Sequence, residues 1–330
     1  MQSLPLEAKI LMTQRRIRDW YDHWNGEVYV SFSGGKDSTV LKHIVDDLYT
    51  DVPAVFVNTG LEYPEIQTFV REIKAGKYDC FNADVEIIRP EMRFDEVISK
   101  YGYPVISKEI SERVYYARQG RQWAINCMNG LDKAGNKNDF RKMFVKYKYL
   151  VDAPFSTSNY CCNVMKKAPT KAYENRVKRH PFIGTLACES TRRRQAWEKN
   201  GCNAYETKRP KSQPLSFWTE QDVLHYIKRF NVPYCPVYGD IQVKRDPEED
   251  ANQINLIDYL ECYEPEDTLE TTGCDRTGCM FCMFGCHLEK APNRFQRMKE
   301  THPRQYAYCM KSRDEGGLGL AEVLDYIGID

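Results

Sequence analysis

Val28-Tyr29-Val30-Ser31-Phe32-Ser33-Gly34-Gly35-Lys36-Asp37-Ser38-Thr39-Val40-Leu41 is the stretch on which the reading of this 330-residue chain turns. β-Branched and aromatic residues at 28–32 suit a short buried strand, positions 33–37 suit a turn, and from Ser38 the apolar spacing is that of a helix. A strand, a glycine turn and a helix N-terminus together make an anion site. Gly34 and Gly35 let the backbone approach an oxyanion, the free N–H groups of the first helical turn point at it, and Lys36 adds a full positive charge. The pattern is not a Walker loop, since no glycine lies four residues ahead of a Gly-Lys-Ser/Thr. Nor is it a three-glycine dinucleotide fingerprint.

Further along, Pro53-Ala54-Val55-Phe56-Val57-Asn58 reads as a second strand, and Pro64 can open the helix that follows it. Residues 84–89 read as a third strand. Strands alternating with helices predict an α/β fold, a doubly wound parallel sheet with ligand sites at the carboxyl ends of its strands. Ahead of the first strand, residues 6–24 carry Ile10, Leu11, Ile17, Trp20 and Tyr21 among charged residues, the pattern of an amphipathic helix covering the sheet. Residues 120–155 read as an irregular basic insert. Its run from Phe140 to Tyr149 interleaves Arg and Lys with aromatic residues, which suits a solvated helix with one buried face and also a surface that follows a nucleic-acid backbone. Thr219, with Asp222 three residues on, is a capping box opening a later helix.

Lys plus Arg and Asp plus Glu total 47 each, so net charge names no partner. The distribution is uneven: 13 basic against 4 acidic residues over 166–211, then 11 acidic residues and no Lys or Arg over 246–275. The length suits one large domain, or one domain with a smaller appendage. No apolar run is long enough to span a bilayer, and Met1-Gln2-Ser3-Leu4-Pro5-Leu6-Glu7 holds no signal-peptide core, which predicts a cytoplasmic protein with no membrane partner. In that compartment 13 cysteines are better explained by a metal or cluster plus buried thiols than by disulfides.

Ser33-Gly34-Gly35-Lys36-Asp37-Ser38 resembles the PP-loop of ATP pyrophosphatases, which holds ATP for attack at the α-phosphate and releases pyrophosphate. Asn58-Thr59-Gly60-Leu61-Glu62-Tyr63-Pro64-Glu65 resembles a stretch of ATP sulfurylase small subunits and of PAPS (3'-phosphoadenylyl sulfate) reductases, with Asn58 in place of the usual Asp. Cys161-Cys162-Asn163-Val164-Met165-Lys166-Lys167-Ala168-Pro169 resembles the Cys-Cys-x-x-x-Lys-x-x-Pro of adenylyl-sulfate reductases. The stretch from Phe182 through Gly184, Glu189 and Ser190 to Arg194 resembles the strand end that faces phosphate or sulfate in that superfamily. Pro214-Leu215-Ser216-Phe217-Trp218-Thr219, with Asp222, Val223, Tyr226 and Ile227, is another hallmark, with a structural job. The chain thus resembles the PAPS reductase family of the PP-loop (adenine nucleotide alpha hydrolase-like) superfamily, over roughly residues 28–237.

The resemblance implies that Ser31, Ser33, Gly34, Gly35, Lys36, Asp37, Ser38, Asn58, Thr59 and Gly60 bind the nucleotide, with Lys36 and Asp37 catalytic and Mg²⁺ accompanying ATP. By charge and geometry Arg192, Arg193 and Arg194 are candidate oxyanion clamps. Three segments are expected: residues 1–27 as the N-terminal helix, 28–238 as the nucleotide-binding domain, and 239–330 as an acidic and cysteine-rich C-terminal region.

Cys279-x-x-Cys282 has the spacing that lets two sulfurs reach one metal, and Cys274, Cys286 and His287 lie close in sequence. By resemblance, Cys161 and Cys162 with Cys279 and Cys282 would hold a 4Fe-4S cluster. The alternative is a local site of Cys274, Cys279, Cys282 and Cys286, for iron-sulfur or for zinc. The remaining cysteines, including Cys262, read as ordinary thiols.

Three functions are open. The first is cleavage of ATP at the α–β bond to adenylylate an acceptor for sulfur transfer, with a nucleic acid among the candidate acceptors and a separate sulfur donor. The second is an adenylyl-sulfate or PAPS reductase resolved by thioredoxin; the chain lacks that family's Glu-Cys-Gly-x-His ending and offers only Cys309. The third is a nucleotide-binding accessory protein of a larger assembly, and a homo-oligomer is compatible with all three.

Overall fold

The computed structural model describes residues 1–244 and 267–329. In chain order the helices are α1 (Leu6–His23), α2 (Lys36–Leu48), α3 (Pro64–Lys74), α4 (Phe94–Tyr101), α5 (Lys108–Arg118), α6 (Gln122–Met128), α7 (Lys142–Val145), α8 (Ala168–Val177), α9 (Thr191–Asn200), α10 (Glu220–Arg229), α11 (Arg294–Thr301), α12 (Pro303–Met310) and α13 (Leu320–Tyr326). The strands are β1 (Val28–Phe32), β2 (Ala54–Val57), β3 (Val85–Ile88), β4 (Val105–Ile106), β5 (His180–Ile183), β6 (Asn203–Ala204), β7 (Lys211–Ser212), β8 (Ile241–Val243), β9 (Leu269–Thr271) and β10 (Met283–Phe284).

The chain forms two compact units, each from separate stretches. The first holds Met1–Asn58, Tyr63–Ile88 and Ala172–Thr277; the second holds Thr59–Glu62, Arg89–Lys171 and Gly278–Asp330. Residues 28–238 therefore contribute to both, as do residues 239–330, while residues 1–27 belong to the first.

A six-stranded sheet in the order β3-β2-β1-β5-β7-β6 organises the first unit. All neighbours are parallel except β6, which runs antiparallel to β7 at the edge. β1 sits inside the sheet, with Val30 level with Ala54 on one side and Phe182 on the other. This is the α/β architecture with a mostly parallel central sheet that the strand–helix alternation predicts. α3 starts with Pro64 in its first turn and buries Ile66, Phe69, Val70 and Ile73, one apolar stripe at helical spacing.

α1 packs its expected apolar residues except Leu11: Ile10 and Tyr21 lie against the core beside fully buried Ile17 and Trp20. It buries Lys9, Thr13, Ile17 and Trp20, whereas Leu11 is 67% exposed. Two polar residues go inside because each has a partner there. Lys9 Nζ donates to both Asp222 carboxylate oxygens at 2.8 and 2.7 Å, and Thr13 Oγ1 accepts from Trp218 Nε1 at 2.9 Å. Asp222 also closes the expected capping box, accepting from the Thr219 N–H at 2.6 Å.

In the second unit, β4 and β10 form a parallel pair, and Gly285 N–H donates to Ile106 O at 2.8 Å. The insert at 120–155 is more regular than its composition suggests: α6 and α7 alternate with 3-10 turns at Asp139–Arg141 and Lys148–Asp152, anchored by buried Phe144 and Leu150. Of the acidic stretch, Asp267, Glu270 and Asp275 are described; Asp246, Glu248, Glu249, Asp250, Asp258, Glu261, Glu264 and Glu266 lie outside the described residues, as does Cys262. Among the described residues no helix is long and apolar enough to cross a membrane.

Removing one partner of a buried ion pair strands the other charge, at about 3–5 kcal/mol. Asp222→Ala is therefore expected to lower the unfolding free energy by about 3 kcal/mol or more, read from urea denaturation midpoints at constant slope.

Candidate functional site

At the carboxyl end of β1 the backbone turns through Gly34, whose φ of 71° lies in the left-handed region. A Cβ there would lie 2.8 Å from Ile66 Cγ2, so the position excludes a side chain on two counts. Gly35 is the N-cap of α2, which begins at Lys36, two residues earlier than the apolar spacing alone suggests. The turn is held by hydroxyls: Ser33 N–H donates to Ser38 Oγ at 3.2 Å, Gly35 N–H to Ser33 Oγ at 3.3 Å, and Thr39 Oγ1 to Gly35 O at 3.0 Å. Gly184, just past β5, completes the seat, since a Cβ there would meet Asp37 O at 2.9 Å. Ser31 lies below the turn in β1, level with Val55 and Ile183. The result is a helix N-terminus set at a strand end, the arrangement that suits an anion.

Groups missed in the sequence surround this turn. Tyr238 Oη accepts from the Lys36 N–H at 3.1 Å and lies 2.6 Å from Thr277 Oγ1. The Lys36 ammonium is buried, donates to Asp275 O at 2.6 Å and pairs with Glu220 at 2.7 Å. Burial raises the Asp37 carboxyl above its usual range and Glu220 adds to this, while Lys36 and Arg276 pull the other way. Glu220 follows a capping threonine and Tyr238 ends the 3-10 turn Pro236–Tyr238, so neither carried a motif that would have marked it.

The arginine run is exposed and turned toward carboxylates. Arg193 pairs with Glu189, which also pairs with Arg276, and Arg194 pairs with Glu198 at 3.2 Å. Arg192 is exposed on the same helix. Asn58 follows β2 in the first unit, its N–H bonded to Ile88 O at 2.8 Å. Thr59 and Gly60 are counted with the second unit, where the Thr59 N–H and hydroxyl bond to the Glu62 carboxylate at 3.0 and 2.6 Å.

The second unit brings Cys161, Cys162, Cys279 and Cys282 to the wall of one cavity, with Lys166, Met165, Leu61, Phe94, Pro104 and Phe281. Cys161 and Cys162 open a helical stretch that widens into a π-turn at Asn163–Lys167 before α8. Cys279 and Cys282 lie on the tight turn leading into β10, with Met280 N–H bonded to Leu61 O at 2.8 Å. Cys162 has the lowest pKa of the four, about 6: Cys161 donates to it, and Lys108, Lys166 and Lys167 stand near. Burial pushes Cys279 up to about 11 and raises Cys282. Burial presses the Lys166 ammonium down, but Cys279 and Glu62 more than offset this, leaving it above its ordinary value.

Of the alternative set, Cys286 is buried in the second unit, whereas Cys274 belongs to the first, 3.0 Å from Arg276 O. Among the described residues, no three Cys, His, Asp or Glu side chains converge on one point as metal ligands.

The phosphoadenosine phosphosulfate reductase domain family matches this chain over residues 27–119 and 124–284. A phosphoadenosine 5'-phosphosulfate reductase of Xylella fastidiosa is 22% identical over 260 residues, 77% of this chain and 87% of that one. An uncharacterized protein of Methanocaldococcus jannaschii is 31% identical over 99 residues, 30% of this chain and only 23% of that protein's length. A crystal structure of phosphoadenylyl-sulfate (PAPS) reductase from Candida auris, a phosphate complex, overlays with a TM-score of 0.38 at 13% identity, covering 68% of this chain and 82% of that one.

A left-handed residue with a side chain costs about 1–2 kcal/mol before any clash is counted. Gly34→Ala is expected to lower the melting temperature by several degrees and to weaken adenine-nucleotide binding at least tenfold, read by thermal denaturation and calorimetry. Gly60→Ala has nothing within 4 Å of the new methyl and is expected to cost less in stability.

Proposed function

Because the chain belongs to the phosphoadenosine phosphosulfate reductase domain family, we propose that it is an enzyme of that family that cleaves ATP at the α–β bond and adenylylates an acceptor for sulfur transfer. The observation that carries this reading is the complete anion seat: the left-handed Gly34, the α2 N-terminus and Lys36 in one turn. An acceptor oxygen attacks the α-phosphorus, the bond to the bridging oxygen breaks, and the electron pair leaves with pyrophosphate. Loop N–H groups and Lys36 offset the charge that grows on pyrophosphate, which is where preorganised donors act most strongly. To do so, Lys36 exchanges Glu220 and Asp275 O for phosphate oxygens. Asp37 is the carboxylate that would help to hold the Mg²⁺ that arrives with ATP. A sulfur donor then displaces AMP from the activated acceptor.

Cys161, Cys162, Cys279 and Cys282 are the residues that would hold a 4Fe-4S cluster, since a pair of adjacent thiols and a Cys-x-x-Cys turn share one cavity. When bound, such a cluster supplies one-electron chemistry and a soft site for sulfur. Lys108, Lys166 and Lys167 favour the thiolate form that ligation requires. Zinc on the same sulfurs is the competing assignment.

The name of the Xylella relative favours a second reading, reduction of a sulfonucleotide with thioredoxin. Cys309, the cysteine nearest the C-terminus, supports it poorly: it is fully buried, and burial pushes its thiol up to about 12, away from the thiolate a nucleophile needs.

With anaerobically purified protein, ATP labelled at the α and γ positions and Mg²⁺, AMP and pyrophosphate are expected, formed about a hundredfold or more slowly by Lys36→Ala. Untouched ATP together with sulfite from PAPS and thioredoxin would establish the second reading instead. The same preparation is expected to be brown, with iron and sulfide that Cys162→Ser and Cys279→Ser lose; a colourless protein with stoichiometric zinc overturns the cluster.

A further inference from the structure

The second unit carries a feature that the nucleotide loop and the cysteine cavity do not use. Five half-buried rings follow one another across it. Tyr101 stacks on Tyr160 at 5.0 Å between centroids, Tyr160 meets Tyr115 at 5.2 Å, Tyr115 meets Tyr116 at 5.3 Å, and Tyr116 meets Trp123 at 5.4 Å. Tyr160, second in the row, immediately precedes Cys161, which lines the cysteine cavity. The Trp123 end opens into a cavity of about 380 Å³ lined by Arg113, Trp123, Lys133 and Arg141.

Charge is arranged to match. Residues 121–152 hold Arg121, Lys133, Lys137, Arg141, Lys142, Lys146 and Lys148 against Asp132, Asp139 and Asp152. Arg113 lies 5.4 Å over the Trp123 ring, and Lys100 lies 5.3 Å over Tyr101. Glu109 and Glu112 pair with Arg113 at 2.8 Å each, so this guanidinium serves as a stacking plane, and the net positive charge comes from the insert. Next to Arg141, on the same 3-10 turn, Phe140 is 90% exposed, and Met143 and Val145 just beyond it are exposed as well.

We propose that this row and its basic cavity form a track for a single-stranded nucleic acid, with bases stacked on the rings and phosphates on Lys133 and Arg141. A π-face is common to every base, so aromatic rows bind single strands with little sequence preference, and a cationic groove follows the backbone. Four of the five rings carry a hydroxyl and the cavity carries two cations of the insert, Lys133 and Arg141, which suits a hydrated polyanion better than a lipid surface. The track names the acceptor class for the adenylylation proposed above and rests on that reading for its purpose, though binding is measurable without it. A strand lying along the rings would bring one nucleotide to Tyr160, next to Cys161 in the chain.

The test uses the full chain and a labelled single strand of about 16 nucleotides, as DNA and as RNA, followed by fluorescence anisotropy from low to high salt. Binding is expected, weaker to a duplex of the same sequence, with log affinity falling linearly against log salt. Lys133→Ala with Arg141→Ala is expected to flatten that slope by roughly 1.4, two phosphate contacts at about 0.7 each. Phe140→Ala, at a site too exposed to disturb folding, is expected to weaken binding about tenfold. Preference between DNA and RNA assigns the sugar. No binding at low salt, duplex binding equal to single-strand binding, or variants that bind as the parent does would each overturn the track. Lys36→Ala separates the two proposals: it is expected to stop pyrophosphate release while binding the strand as the parent does, so failure of ATP cleavage leaves the track standing and the reverse holds as well.

Discussion

The constraint on which the first unit depends is the close approach of the α2 N-terminus to the ends of β1 and β5. Donors can be aimed at a phosphate only if the backbone itself reaches it, and that leaves no room for side chains. Gly34 turns in the left-handed region against Ile66, and Gly184 lets the end of β5 pass within contact of Asp37 O and Ser38 Cα. The hydroxyls of Ser33, Ser38 and Thr39 then bond the turn to itself, so its shape does not wait for a ligand. A preorganised seat is what phosphoryl chemistry asks of a protein that contributes little covalent chemistry of its own.

Buried lysines show how the unit manages the cost of that design. Lys9, Lys36 and Lys42 are all buried, and each has a carboxylate: Asp222, Glu220 and Asp46. Two are structural. Lys9 joins α1 to α10, and Lys42 lies 2.8 Å from Asp46 within α2 and also donates to Asn82 O. Of the three, only Lys36 has a partner that is largely exposed, Glu220, so water weakens that pair most.

The second unit gathers thiols rather than phosphate donors. Four cysteines from distant parts of the chain reach the wall of one cavity there, through a π-turn after Cys162 and a tight turn at Cys279 and Cys282 held to Leu61 and to β4. Lysines around a thiol pair offset the charge that burying thiolates would build up.

The residues by themselves determined much of this: the α/β class, β1 to β3, Pro64 at the start of α3, the Thr219 box, and the glycine turn. These are local signals, written in spacing, capping and β-branching. The pairing of adjacent cysteines with the Cys-x-x-Cys turn was legible only through resemblance. Tertiary structure decided what local patterns do not encode. It put Lys9 and Thr13 inside α1, because their partners Asp222 and Trp218 lie more than 200 residues away. It turned Arg276 onto Glu189, brought Tyr238 and Glu220 to the loop, and lined up Tyr101, Tyr160, Tyr115, Tyr116 and Trp123 from three separate segments. Burial of a polar group is favourable only when its partner is present, and a partner distant in sequence is supplied by the fold alone.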